Sequence, residues 1–202
     1  MRIPYGVDRL PRDPALRSVE VGGAPLRLSS EPVPAEAMPL ATGNHAARVA
    51  AAMDWLGGQC GDYAPRRRQF VAAYFDCMAA QIAAHREALA ERLAPYDGLF
   101  APEDVLWSAL RPLPRGWVPI ADRYLQADVV FWDGTEAIAV ELAARESERW
   151  SALVAAGVTV LAIDPAAFDR LDAILPLRFM RYWDDDALPA SPFRRAIPPS
   201  PA

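Results

Sequence analysis

Two carboxylates flank a hairpin signal in the second half of this chain. Asp128 lies in the β-rich run 124–132, Glu141 in the run 137–142, and Asp133-Gly134 sits between them. Asp-Gly favours a tight two-strand turn because glycine supplies the positive φ that such turns need. Side chains alternate faces along a strand, so the loop length decides where the two acids point. A two-residue loop makes Glu141 the diagonal neighbour of Asp128, and a four-residue loop sets the two directly opposite. Either register puts both carboxylates on one face, roughly 5 to 8 Å apart, whereas a three-residue loop would separate them. Carboxylates that close repel and shift each other's pKa unless a cation lies between them, which is how such pairs hold Mg²⁺ or Mn²⁺ through oxygen. A metal there would lower the pKa of a bound water and neutralise charge on a phosphate, so hydrolysis of a phosphodiester is the reaction class these parts suit. Glu103, ahead of the hairpin, is a third oxygen donor for the same ion.

The elements that must position these residues follow from periodicity and punctuation. Asn44 is placed to cap a helix through Leu56, stopped by Gly57-Gly58. Pro65 suits the first turn of a longer helix over 65–93, in which Val71, Tyr74, Phe75, Met78, Ile82, His85, Leu89 and Leu93 form one apolar stripe. On that stripe His85 reads as a packed histidine. Pro102 opens a helix with Val105, Leu106, Ala109 and Leu110 on one face, ended by Pro112 and Pro114. Trp107 and Trp150 fall within apolar helical patterns and read as core. Residues 117–120 suit an edge strand, the only place in a sheet that tolerates Pro119. After the hairpin, Ser147 caps a helix closed by Gly157, and residues 158–163 form an apolar run of the kind that a strand buried on both faces shows. A further helix carries Phe168, Leu171 and Leu175, and residues 178–183 read as a last strand.

Composition narrows the function classes. All 21 basic residues are arginine, so a missing lysine at any one site says little. Residues 1–99 carry 11 acids and 11 arginines, whereas residues 100–183 carry 12 acids and 8 arginines. Phosphate contacts supply most DNA affinity, so an acidic second half argues for weak DNA binding at best. Arg66-Arg67-Arg68 opposes the dipole at the start of its helix and is only a slight nucleic-acid hint, and Asp184-Asp185-Asp186 reads as a solvated exit. Cys60 and Cys77 are too few for a disulfide framework or a structural zinc site. The first residues lack the apolar core of a signal peptide and no apolar run is long enough to span a bilayer, so a cytoplasmic protein without membrane contact is expected.

The run from Glu103 to Arg111, which reads E-x-x-L-W-x-x-L-R, followed by Asp128 on one strand and Ala139-Val140-Glu141 on the next, resembles the very-short-patch-repair endonucleases and their small relatives within the PD-(D/E)XK superfamily. The likeness covers residues 102–163. It implies an α/β fold with a restriction-endonuclease-like core, ordered α-β-β-β-α-β with a mixed sheet flanked by helices, and an added N-terminal helical region. Proline placement and periodicity add a proline-rich arm over 1–43, helices over 44–99 and a proline-rich tail over 184–202 around a core over 100–183. The resemblance also implies a Mg²⁺- or Mn²⁺-dependent DNA endonuclease with Glu103, Asp128 and Glu141 as metal ligands. Two positions after Glu141, where the superfamily has lysine or an acid, this chain has Ala143, and the stretch Ala144-Arg145-Glu146-Ser147 lacks the branch's histidine. Arg145 or Arg149 can reach back in place of the lysine, and Arg145 is taken here as the fourth catalytic residue. Arginine stays protonated, so it stabilises charge without acting as a base. The competing expectation is a nuclease fold without catalysis that binds a protein partner.

Overall fold

The hairpin forms where the alternation of its side chains predicts it. The computed structural model describes residues 1–13, 17–28, 44–61, 64–143, 147–175 and 179. In chain order they form β1 (Arg2–Pro4), β2 (Ser18–Glu20), α1 (His45–Gln59), α2 (Pro65–Ala84), α3 (Arg86–Leu93), β3 (Leu113–Pro114), β4 (Trp117–Ile120), β5 (Arg123–Gln126), β6 (Val129–Trp132), β7 (Ala137–Glu141), α4 (Glu148–Ala155), β8 (Thr159–Ala162) and α5 (Leu171–Ile174). The fold is mixed α/β. Its main sheet has the order β3-β6-β7-β8, with β6 and β7 antiparallel and β7 and β8 parallel. The helix α4 makes the crossover between the parallel pair, as a parallel connection requires.

The sheet is buried on both faces, and strand parity assigns the residues. Val129, Phe131, Ile138 and Val140 face a cluster built on Phe70, Tyr74 and Phe75 of α2. Val130, Trp132 and Ala139 face a second cluster with Ile3, Val19 and Val21 of the N-terminal strands and Leu153 of α4. Residues 1–43, expected as an arm apart from the core, therefore include strands that cover one sheet face. Leu26 N donates to Trp132 O at 3.1 Å, and Arg111 N donates to Leu26 O at 2.9 Å. Trp132 Nε1 donates to Gly22 O at 2.8 Å, which gives the buried indole a partner.

Several expectations shift in detail. The helix α1 is capped by Asn44, whose side chain accepts from Ala47 N, but it runs through Gly57 and Gly58 to Gln59. Its stop comes later, at Gly61 with φ +89°, a conformation that favours glycine. The stripe of 65–93 is divided at His85 (φ −108°, ψ 16°), so α2 and α3 are separate helices and His85 is exposed rather than packed. The segment opened by Pro102 is a 3₁₀ turn over Pro102–Ser108, and Trp107 is in the core as expected. Trp150 is only half-buried.

The run 124–132 is two strands. The break falls at Ala127 and Asp128, where Ala127 N donates to Gly116 O and Arg115 N donates to Asp128 O, both at 2.8 Å. Pro119 sits in the separate β4-β5 ribbon, consistent with its missing donor. β8 is half-buried throughout because it lies at the sheet edge rather than inside the sheet. Ser147 caps α4, and Gly157 follows its end at φ +78°. Apart from Phe179, the expected strand over 178–183 lies outside the described residues, as does Asp184-Asp185-Asp186.

Phe131 joins the sheet to the helical layer. It is fully buried, with ring centroids 5.2 Å from Tyr74 and 4.7 Å from Phe179. Phe131→Ala is expected to destabilise the protein by about 3 to 5 kcal/mol in urea denaturation. A loss below about 1 kcal/mol would contradict this packing.

Candidate functional site

The β6–β7 register leaves a four-residue loop over residues 133–136, so Asp128 and Glu141 stand opposite one another just beyond the paired residues Val129 and Val140. The loop is held by Asp133, whose Oδ1 accepts from Thr135 N, Thr135 Oγ1 and Glu136 N at 2.7 to 3.0 Å. Gly134 takes φ +102° inside that turn. The parity that buries Trp132 and Ala139 against the N-terminal strands and α4 sends both carboxylates to that same face.

The helix α4 lies on this face and brings Arg149 onto the pair. Its Nη2 donates to Asp128 Oδ2 at 2.8 Å and its Nε donates to Glu141 Oε2 at 2.8 Å. A second guanidinium arrives from the first turn of α2, where Arg67 Nε donates to Asp128 Oδ1 at 2.9 Å. Leu142 N also donates to Asp128 Oδ2, at 3.0 Å. Glu141 is fully buried, and its Oε1 has no hydrogen-bond partner. Burial pushes the Glu141 carboxyl up, and Asp128 adds to the rise, while Arg149 opposes it. Burial also pulls on the Arg149 guanidinium, but the two carboxylates outweigh it and its pKa is raised.

A rim surrounds this centre. Arg115, at φ 52°, donates through its side chain to Gly6 O, to Gln59 O at 2.8 Å and to Asp8 Oδ1 at 2.7 Å. The hydrogen bond and charge of Arg115, with a smaller contribution from Arg67, hold the exposed Asp8 carboxyl below its usual range. Cys60, whose carbonyl accepts from Arg67, is buried, and burial pushes its thiol up to about 11, so it is no nucleophile at neutral pH.

Of the residues expected to form the site, the structure brings Asp128 and Glu141 together and does not bring Glu103 to them. The Pro102–Ser108 turn packs on the helical face of the sheet, where Glu103 pairs with Arg86 of α3. The carboxylate pair projects from the other face. Arg145 lies outside the described residues, and Arg149 is the arginine that reaches back. Arg67 was not recognised as a site residue. Its signal was the unfavourable placement of arginines at the positive end of a helix, which the Asp128 charge compensates.

A Mg²⁺ or Mn²⁺ ion would set two demands on the pair. Such an ion takes about six oxygen ligands and favours net negative charge. Three of the four carboxylate oxygens already accept from Arg67, Arg149 or Leu142, and two acids against two arginines leave no net charge. Among the described residues no group of three or more His, Cys, Asp or Glu side chains could hold a metal. The residues in this arrangement do not fit a divalent ion. Among the described residues, too, no helix is long and apolar enough to cross a membrane. No protein-family model, curated protein or solved structure matches the chain.

Removing Arg149 leaves Glu141 buried and uncompensated. Because the Glu141 pKa is raised in the folded protein, its ionised form opposes folding, and stability falls as pH climbs from the ordinary 4.5 through the folded value. Arg149→Gln pushes that folded value higher and so widens the window. The expected loss is about 3 kcal/mol at pH 7 in urea denaturation, and less at pH 5, because protonation relieves the uncompensated buried charge. Equal losses at the two pH values would contradict the assignment.

Proposed function

We propose that this chain is a divergent endonuclease-like protein of the PD-(D/E)XK type, resting in a form that does not hydrolyse DNA phosphodiesters. Support for the class comes from the order of helical turn, β3, β6–β7 hairpin, α4 and β8 that builds the mixed main sheet over residues 102–163, with the β4–β5 ribbon inserted between β3 and β6. The observation that carries the reading is the contact of one guanidinium, Arg149, with both Asp128 and Glu141. Arg149 stands in for the lysine that Ala143 cannot supply, and it holds the two carboxylates in one orientation.

The chemistry open to these side chains is limited by their charge states. Arg149 remains protonated at neutral pH and can neutralise an anionic oxygen but cannot accept a proton. Glu141, with its pKa raised by burial, is the group that can hold a proton at a fixed atom, and its free Oε1 is the acceptor left for it. A divalent ion would supply water activation and charge neutralisation in this superfamily, and the pair in its present arrangement leaves no seat for it.

A second reading is favoured by that same occupied pair together with the acidic balance of residues 100–183: a catalytically degenerate fold that binds a protein partner. The apolar stripe of α2 offers that partner no surface, because it is buried in the core through Phe70, Tyr74 and Met78. Any docking surface therefore lies elsewhere.

Plasmid cleavage with Mg²⁺ or Mn²⁺ separates the readings for wild type, Asp128→Ala, Glu141→Ala and Ala143→Lys. The expected result is no detectable cleavage by wild type or by Ala143→Lys alone, and a gain when Ala143→Lys is combined with Arg149→Gln, which vacates the pair. Brisk cleavage by wild type that both alanine variants abolish would overturn the resting form. No cleavage by any variant, with stoichiometric recovery of a protein from native cells, would favour the binding module.

A further inference from the structure

We propose that Arg149, assisted by Arg67, is a built-in counter-cation that closes the Asp128–Glu141 centre to divalent metal ions. This deepens the endonuclease-like reading and rests on the carboxylate pair being that centre. The misfit between the pair and a metal has a specific origin. The backbone does what a metal centre asks of it, because the four-residue loop sets two carboxylates opposite each other on one sheet face. What differs is the occupant. The Nη2 atom of Arg149 lies 2.8 Å from Asp128 Oδ2 and 2.5 Å from Glu141 Oε2, between the two acids, where a cation would relieve their repulsion.

Burial makes this occupancy consequential. Glu141 is fully buried and the Asp128 side chain is 11% exposed, so neither acid can rely on water to screen its charge. A covalently attached guanidinium reaches the pair at very high effective concentration, so a free ion must displace it and also accept two nearby positive charges. Arg67 acts on the other side by holding Oδ1 of Asp128 from α2. One atom remains outside the arrangement: Glu141 Oε1 is buried with no donor. One guanidinium spanning two carboxylates satisfies one oxygen of each and leaves the far oxygen of Glu141 bare, whereas a metal bound to both oxygens of Glu141 would not. The pair thus keeps the geometry of a cation site with an arginine in the cation's place.

The test is titration with Mn²⁺ alone, followed by calorimetry and by the loss of the free-ion electron paramagnetic resonance signal, on the folded full chain. Wild type is expected to show no saturable binding in the millimolar range. Arg149→Gln is expected to bind Mn²⁺ at least about tenfold more tightly than wild type. Adding Glu141→Gln should abolish that gain, and Arg149→Lys, which restores a positive charge, should close the site again. If Arg149→Gln does not fold, Arg149→Met carries the same test, because it removes the charge while keeping an apolar stem of similar length to pack. Saturable wild-type binding that Glu141→Gln removes, or a folded Arg149→Gln that binds no better than wild type, overturns the proposal. DNA cleavage is not the readout, so failure here is distinct from failure of the endonuclease-like reading.

Discussion

Two carboxylates sit at one end of a sheet that is covered on both faces, and the protein must neutralise them without water. That constraint organises the region around Asp128 and Glu141. Arg149 of α4 spans both acids, and Arg67 of α2 takes the remaining side of Asp128. Each arginine lies on a helix packed against a different cluster of the sheet, so charge compensation depends on both layers being in place. An ion pair with low exposure contributes little net stability by itself, but losing one partner leaves a bare buried charge.

The same constraint gives a role to parts of the chain that carry no recognisable motif. The helix α2 lies outside the stretch that resembles a nuclease, yet its apolar residues cover one sheet face and its first turn supplies Arg67. The N-terminal strands cover the other face, and Arg115 ties the Gly6–Asp8 segment to the end of α1 beside Asp128. Arg111, the last residue of the nuclease-like signature, is used differently. It is buried with its guanidinium 4.7 Å from the Trp55 ring and donates to Tyr5 Oη at 3.2 Å, so it links α1 to the N-terminal strands rather than approaching the carboxylates. The signature thus contributes packing residues, and its glutamate pairs at the surface with Arg86.

This arrangement bears on what a lysine-free chain can do with a facing pair of carboxylates. Lysine can lose its proton when buried, whereas arginine cannot, so exchanging one for the other removes a base and adds a permanent charge. A permanent charge held between two acids is also a permanent competitor for any cation. Scaffold and activity therefore separate: a strand order can set two carboxylates face to face while a resident arginine leaves their centre self-neutralised.

Some of this was written in the sequence. Alternation around Asp133-Gly134 placed Asp128 and Glu141 on one face, because strand side chains repeat every two residues and both even loop lengths give the same answer. The caps at Asn44 and Ser147, and the glycine after α4, were legible because those signals are local. Other features depended on contacts between residues far apart in the chain. The division of 65–93 at His85, the split of 124–132 at Asp128 and the edge position of β8 are set by what packs alongside, which periodicity does not record. Glu103 fits a motif in one dimension but lies on the helical face of the sheet, while the acids project from the other. The residue that reaches both acids is on the crossover helix, and from the sequence Arg145 is taken for that role with Arg149 as the alternative. Only the packing of α4 against the sheet brought Arg149 to the pair, because the direction of a guanidinium follows from the helix that carries it.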